Sequence, residues 1–210
     1  MTVNNLLPKN AKQFFIPGPE GQLDCLELQP NSDSILGIAI IFHPNPIGGG
    51  SYSHKIVQII ARVLNQKGYV CYCPNLRGVG MSAGVHDYGN SEIKDAEAVH
   101  TYMRQIYPDL PLILAGFSFG TTIASNLASQ VKHHKLILVG PSVTLWPVVV
   151  SNPSKTIVVH GEEDEIIPIA SVLTWGHTHN QPIIWFPNTG HFFHGRLLDL
   201  HNLLSLFNLN

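Results

Sequence analysis

The chain has 210 residues, of which 44% are hydrophobic and only 12% are charged, a composition typical of a globular protein and not of a disordered chain. The formal net charge of −2 argues against binding to nucleic acid or to an anionic membrane surface. Its apolar runs are too short for a membrane-spanning helix. The start lacks a basic segment followed by an apolar one, so we expect no signal peptide and a cytoplasmic location.

Strand-like and helix-like segments alternate along the chain. The segments "FFI" and "LDCLEL" flank a turn at "PGPEG" and predict an antiparallel strand pair. Further apolar segments predict strands buried on both faces, at residues 35–44, 69–76, 111–117, 135–141, 156–161 and 181–187. Apolar side chains at helical spacing run from Ile56 to Leu64 and end at Gly68, which is typical of a helix with a glycine cap.

A second helix is predicted to begin at a Ser91 cap and to end near Gln105, and a leucine-rich helix closes the chain. The alternation predicts the α/β class, a mostly parallel central sheet with helices on both faces. We find no repeat, linker or low-complexity segment and predict a single domain over residues 1–210.

One serine lies where a buried strand meets a helix. Residues 116–120, "GFSFG", match the G-x-S-x-G motif in the strand–turn–helix context that the motif requires. Such a turn forces its corner residue, Ser118, to positive φ, and strand and helix come so close that both flanking residues must be glycine. Because the helix start presents free N–H groups beside the hydroxyl, Ser118 is predicted to be a nucleophile. The alternative is a helix-capping serine between glycines that only pack.

A serine hydroxyl needs a base to take its proton and an acid to orient that base, in the chain order serine, acid, histidine. Four carboxylates, residues 162–165, follow the fifth predicted parallel strand. We favour Asp164 because its short side chain suits an orienting role, with Glu162 or Glu163 as alternatives.

The predicted base is His191, which follows the last predicted strand in "NTGHFFHG". Gly190 is expected to free the backbone so that His191 turns over the edge of the sheet. His194 is the competing histidine, whereas His160 lies inside a strand and is expected to pack in the core or behind the acid.

An oxyanion hole is expected from two backbone N–H groups, one after the nucleophile and one in the loop after the first parallel strand. The first is the N–H of Phe119. In the loop "HPNPIGGG", Pro44 and Pro46 have no N–H, so we predict the Asn45 N–H, held extended by the following proline. A phosphate-binding loop is the alternative, but no G-K-[ST] follows the glycines.

The chain has twelve histidines and three cysteines, which raises the possibility of a metal site. The spacings in "HH", "HTH" and "HFFH" are not those of helical metal ligands, so we predict no metal and mostly solvated histidines. Cys71 and Cys73 face the same side of a strand and are expected to pack as small hydrophobic residues.

The motifs "FHPNPIGGG", "NLRGVGMSAG", "GFSFGTTIA", "HGEEDEIIP" and "GHFFHGRL", in that order over nearly the whole chain, resemble the small lidless members of the α/β-hydrolase superfamily. The resemblance implies the α/β-hydrolase fold without a cap domain, a triad of Ser118, Asp164 and His191, and a structural role for the turn at Arg77. Members often carry a second histidine where this chain has Asn45, a difference that leaves the backbone donor in place.

The expected activity is hydrolysis of a small ester, thioester or amide through an acyl-serine intermediate, with a short-chain carboxylesterase favoured. The segment between the strands predicted at 135–141 and 156–161 has only about fifteen residues, which leaves no room for a cap domain. Ile47, Gly48, Trp146 and His194 are predicted to contact a small-molecule acyl substrate. No cofactor is implied, and a homodimer is possible. The alternatives are an acyltransferase, a non-catalytic binding protein that retains the fold and, more weakly, a metal-dependent hydrolase.

Overall fold

The computed structural model describes residues 10–31 and 34–209. The first nine residues, on which part of the signal-peptide prediction rests, lie outside this range. Within the described ranges, no helix has the length and apolar character that crossing a bilayer requires.

In the described residues eight strands, numbered in chain order with the ranges given below, form one sheet in the order β1-β2-β4-β3-β5-β6-β7-β8. The pairs β1–β2 and β2–β4 are antiparallel, and the remaining pairs are parallel. The strands are β1 Ala11–Gly18, β2 Gly21–Leu28, β3 Gly37–Phe42, β4 Tyr69–Pro74, β5 Leu112–Phe117, β6 Lys135–Val139, β7 Thr156–Gly161 and β8 Ile184–Phe186. The predicted fold class and the antiparallel first pair are therefore confirmed.

The part of the chain that the structure describes also has five α-helices, which flank the sheet: α1 Lys55–Gln66, α2 Glu92–Ile106, α3 Phe119–Gln130, α4 Ile169–Thr178 and α5 Leu197–Leu206. Alternate residues of each central strand point to opposite faces. In β3, Ile41 packs with α1 and α5, whereas Ile40 packs with α2 and α3. Apolar side chains on both faces explain why the central strands are continuous hydrophobic runs.

The predicted elements differ from the structure in three places. The strands predicted at 35–44 and 181–187 are shorter, because their ends bend into loops. Helix α4 was not predicted; its first turn follows Pro168 and lacks a capping side chain. Ser91 does precede α2, but its hydroxyl donates to Asp87 instead of capping the helix.

The prediction of mostly solvated histidines is wrong. All twelve lie in the described ranges, and only His177 and His194 are exposed. His43, His160 and His191 are fully buried: His43 directly follows β3, His160 lies near the end of β7, and His191 lies in the loop after β8. The cysteines are free and buried, as predicted.

The turn that begins at Arg77 is structural. The Arg77 guanidinium is 5% exposed and donates to both carboxylate oxygens of the fully buried Asp95, at 3.0 and 2.7 Å. The Arg77 N–H also donates to Asp95, at 2.9 Å. The guanidinium donates one hydrogen bond to each carboxylate oxygen, a bidentate geometry that fixes the orientation of both groups. This ion pair therefore fixes the loop after β4 to α2.

Replacing Asp95→Leu should destabilise the protein by about 3–5 kcal/mol, because the Arg77 charge would stay buried without its partner. The measurement is the free energy of unfolding in urea. Asp199→Leu is the matched control, since its ion pair with Arg196 is exposed and should contribute less than about 1 kcal/mol. Equal effects of the two substitutions would contradict the structural role of the buried pair.

Candidate functional site

Ser118 occupies the turn between β5 and α3 with φ 52° and ψ −121°, an unfavourable backbone conformation for a residue with a side chain. A Cβ atom on Gly116 would lie 2.1 Å from the Gly120 carbonyl oxygen, and one on Gly120 would lie 2.2 Å from the Phe42 carbonyl oxygen. Both glycines are therefore required by the close approach of α3 to β5 and β3, as the sequence predicted.

Hydrogen bonds join Ser118, His191 and Asp164 into one line. The Ser118 Oγ lies 2.9 Å from His191 Nε2, and His191 Nδ1 lies 2.6 Å from Asp164 Oδ2. The three residues come from the loops after β5, β7 and β8, which meet at one sheet edge. Residue Glu162 instead accepts from the Asn188 N–H, and His194 is exposed, so neither alternative occupies this line.

The Asp164 carboxylate is held from several sides. Its Oδ1 accepts from the N–H groups of Ile166 and Ile167, at 2.9 and 2.7 Å. Burial alone would raise its pKa, but the hydrogen bonds from His191 and Ile167 hold the pKa below its ordinary value. The carboxylate therefore stays ionised and accepts a hydrogen bond from the protonated Nδ1 of His191. In the neutral ring Nε2 then carries no proton and faces Ser118 as an acceptor.

His160 lies directly behind this carboxylate. It is fully buried, its Nε2 donates to the Ile167 carbonyl at 2.9 Å, and the same nitrogen lies 3.5 Å from Asp164 Oδ2. The sequence analysis had placed His160 in the core or behind the acid, and the structure has it there. By bonding to Ile167, His160 fixes the loop that supplies two donors to Asp164.

The backbone of His191 is fixed by Glu165, whose carboxylate accepts the His191 N–H at 3.0 Å. A Cβ on Gly190 would lie 2.8 Å from this carboxylate. Gly190 leaves room for the end of the Glu165 side chain, and it does not adopt the positive φ that would give the chain special freedom, which corrects the predicted reason for this glycine.

The two N–H groups predicted as an oxyanion hole are free. Within the described residues, no backbone or side-chain acceptor bonds to the N–H of Asn45 or of Phe119. Asn45 is extended, with φ −51° and ψ 122°, as expected before proline. Its carbonyl accepts from Gly48 and Gly50, at 3.1 Å each.

His43 anchors this loop, a role that the sequence analysis missed. It is fully buried; its Nδ1 donates to the Pro44 carbonyl at 2.7 Å, and its Nε2 accepts from the Leu76 N–H at 3.1 Å. These two bonds tie the residue before Asn45 to the loop after β4. A polar residue at the end of a fully apolar strand was the available signal.

The predicted substrate contacts are spread around the site. Trp146 is half-buried, and its ring packs edge-on against Phe119 at 5.0 Å. Ile47 and Gly48 are exposed on the Asn45 loop, and the ring of His194 lies 5.8 Å from that of Phe192. Their contacts with a substrate stay a prediction.

No group of three histidine, cysteine or carboxylate side chains in the part of the chain that the structure describes is arranged to hold a metal ion. Two buried imidazoles outside the histidine-rich segments, His43 and His160, each bond to a backbone carbonyl.

Replacing Gly120→Ala should cost about 3 kcal/mol of folding free energy, because the added methyl group would clash with backbone. Gly48→Ala is the control, since its Cβ would meet no atom within 4 Å, and we expect a change within about 0.5 kcal/mol. Urea unfolding of both variants tests this difference, and a Gly120→Ala protein as stable as Gly48→Ala would refute the steric explanation.

Burial lowers the pKa of His43 to about 4, against the opposing effect of its bond to Pro44. In the unfolded chain a histidine has a pKa near 6.5. The contribution of the neutral His43 to the free energy of unfolding is therefore fully present above that pH and is lost as the pH falls towards 4. The loss from His43 is on the order of 3 kcal/mol. His43→Gln removes the titration and offers one donor and one acceptor.

The measurement for His43 is the free energy of unfolding at pH 7 and pH 4.5 for both proteins. We expect the wild type to lose more stability than His43→Gln over this range. Equal losses would contradict the depressed pKa of the buried imidazole.

Comparison with known proteins shows the family to which the chain belongs. Residues 37–160 match the model of the family described as "Serine aminopeptidase, S33". The protein RP471 of Rickettsia prowazekii is 30% identical over 162 residues, which cover 74% of this chain and 68% of that protein.

Two solved structures are similar over almost their whole length. XC6422 of Xanthomonas campestris, described as an α/β serine hydrolase without a lid, is 34% identical, with a TM-score of 0.87 and coverage of 95% of this chain and 94% of that one. An α/β serine hydrolase homologue from Coxiella burnetii is 33% identical, with a TM-score of 0.84 and coverage of 92% and 95%. The chain therefore belongs to the serine aminopeptidase S33 family of the α/β-hydrolase superfamily.

Proposed function

We propose that this hydrolase cleaves small esters, thioesters or amides through an acyl-Ser118 intermediate, and that it is a short-chain carboxylesterase. The observation that carries the proposal is the hydrogen-bonded line from Asp164 through His191 to Ser118. Ser118 has positive φ, and its hydroxyl is hydrogen-bonded to the His191 imidazole. The other imidazole nitrogen is hydrogen-bonded to the buried Asp164 carboxylate, which is the arrangement of an activated nucleophile.

In the acylation step, Ser118 Oγ attacks the substrate carbonyl carbon while His191 Nε2 takes the hydroxyl proton. The electron pair of the carbonyl moves to its oxygen, where the N–H groups of Asn45 and Phe119 donate to the negative charge. The carbonyl then re-forms, the bond to the leaving group breaks, and His191 gives its proton to the departing oxygen, sulfur or nitrogen.

In the second step, His191 takes a proton from water as that water attacks the acyl carbon, and it returns the proton to Ser118 Oγ as the acid leaves. Asp164 stays ionised and stabilises the imidazolium that forms in each step. Its depressed pKa suits this role because the carboxylate does not compete for the proton.

The small size of the substrate is inferred from the loops above Ser118. Between β6 and β7 the chain forms only turns and one 3-10 turn at Pro153–Lys155, which leaves no segment for a cap. The similarity to a hydrolase without a lid supports the same inference. The family description names an aminopeptidase, so amides are tested beside esters.

Turnover by purified protein tests the proposal, with p-nitrophenyl acetate, p-nitrophenyl butyrate and alanine p-nitroanilide as substrates. We expect hydrolysis of both esters, and a kcat lower by at least about a thousandfold in Ser118→Ala. Ser129→Ala is the matched control, because this exposed serine lies at the far end of α3 and should keep wild-type kcat.

Other outcomes have definite meanings. Hydrolysis of the anilide in preference to both esters would support a peptidase. Faster release of p-nitrophenol on addition of an alcohol, with formation of the new ester, would support an acyltransferase. No turnover of any substrate would overturn the proposal in favour of a non-catalytic binding protein, and equal turnover by Ser118→Ala would overturn Ser118 as the nucleophile.

A further inference from the structure

The ring of Phe192 lies beside the predicted base and is open to solvent. It is 36% exposed, and its centroid is 5.0 Å from that of His191, with the two rings perpendicular. The next residue, Phe193, has φ 52° and is fully buried against Phe186. This unfavourable φ turns the two adjacent phenyl rings to opposite sides, one into the core and one towards the site.

Two further imidazoles flank this exposed ring. The centroid of His54 is 6.2 Å from that of Phe192, and the centroid of His194 is 5.8 Å from it. His54 also stacks on Phe117 at 5.0 Å, and Phe117 in turn contacts His191 at 5.0 Å. The surface next to His191 is therefore built from flat rings, and we call His54, Phe192 and His194 the ring surface.

His54 has a fixed tautomer and a free donor. Its Nδ1 accepts the Ile56 N–H at 3.3 Å as the N-cap of α1, so in the neutral ring the proton is on Nε2. Burial, with the nearby His191, lowers its pKa to about 4, which keeps the ring neutral at pH 7. No described residue accepts from Nε2, and this nitrogen is not among the buried unpartnered atoms, so it offers an N–H to solvent.

The side of the scissile bond that meets the ring surface follows from the chemistry of His191. The atom that leaves must come within hydrogen-bond distance of His191 Nε2 to receive its proton. The leaving group therefore passes beside His191, where Phe192 is exposed. A flat aromatic group gains most from a surface of aromatic rings, because ring pairs interact favourably beyond the area that they bury.

We propose that the ring surface is a leaving-group subsite, and that the protein prefers esters of aromatic alcohols whose ring stacks on Phe192 and carries an oxygen that accepts from His54 Nε2. This inference rests on the proposed function and goes beyond it by naming the substrate class. It assigns Phe192 and His54 to binding of the departing alcohol, and it leaves the acyl group to the opposite side, near Trp146.

The first test compares esters that share the acetyl group and differ in the alcohol, phenyl acetate and ethyl acetate. The quantity is the ratio of their kcat/KM values, in each variant relative to wild type, so that their different intrinsic reactivities cancel. We expect Phe192→Ala to lower the phenyl-to-ethyl ratio about tenfold, through loss of ring stacking and apolar contact. Phe15→Ala is the matched control, since Phe15 is 41% exposed on β1, and it should keep the wild-type ratio.

The second test concerns His54, with the 2-, 3- and 4-methoxyphenyl acetates against phenyl acetate. We expect one isomer to have a KM about fivefold below that of phenyl acetate, as one hydrogen bond contributes about 1 kcal/mol. His54→Asn should abolish this difference, because an asparagine still caps α1 but does not reach as far as Nε2.

The outcomes separate this inference from the proposed function. Hydrolysis of both acetates, with an equal loss on each in Phe192→Ala, would overturn the subsite and leave the esterase proposal intact. A methoxy preference unchanged in His54→Asn, or no methoxy preference in wild type, would overturn the role of His54. Failure of wild type to hydrolyse any ester would instead be a failure of the proposed function.

Discussion

The close approach of α3 to the sheet is the constraint on which the site depends. The start of the helix comes so near to β3 and β5 that neither Gly116 nor Gly120 has room for a side chain. A chain that passes from strand to helix in so little space leaves Ser118 at positive φ, with its hydroxyl above the sheet edge. The same approach sets the positions of Ser118 and of the free N–H of Phe119, which we propose as the nucleophile and as one oxyanion donor.

The rest of the site is made rigid by hydrogen bonds behind the reacting groups. His43 ties the Asn45 loop to the loop after β4, and His160 ties Ile167 to the end of β7. Both imidazoles are buried, where burial lowers their pKa and keeps them neutral partners of backbone groups. In the proposed mechanism, their position behind Asp164 and Asn45 holds those residues in one orientation, the condition for orientation to accelerate a reaction. The cost is greater sensitivity of the fold to acid.

Much of this arrangement could be predicted from the sequence, since its motifs are local. The geometry of a G-x-S-x-G turn can be predicted from the motif, because the two glycines that allow the strand and the helix to pack closely lie within five residues. The order of the parallel strands then brings Asp164 and His191 to the same edge. The short side chain of Asp164 favoured it over its acidic neighbours, the resemblance to lidless hydrolases implied the same residue, and the hydrogen bond to His191 agrees with that choice.

What could not be predicted depends on contacts between distant segments. The hydrogen bond of His43 requires Leu76, thirty-three residues further along, and the N–H of His191 is accepted by Glu165, twenty-six residues before it. The role of Phe192 depends on its side chain facing solvent while that of Phe193 is buried. The segment "HFFH" does not specify which phenylalanine is buried. Helix α4 lacks a capping side chain, but its Trp175 packs against the apolar core and donates to the Val148 carbonyl at 3.1 Å.

The most direct measurement of the central claim is the site of covalent modification by a fluorophosphonate probe, located by peptide mass spectrometry. Attack by an activated hydroxyl displaces fluoride and leaves a stable phosphonyl-serine. We predict one adduct per chain, on Ser118, and its loss in His191→Ala, because the hydroxyl then has no base to take its proton. A chain that stays unmodified, or that is modified at another residue, would contradict the account.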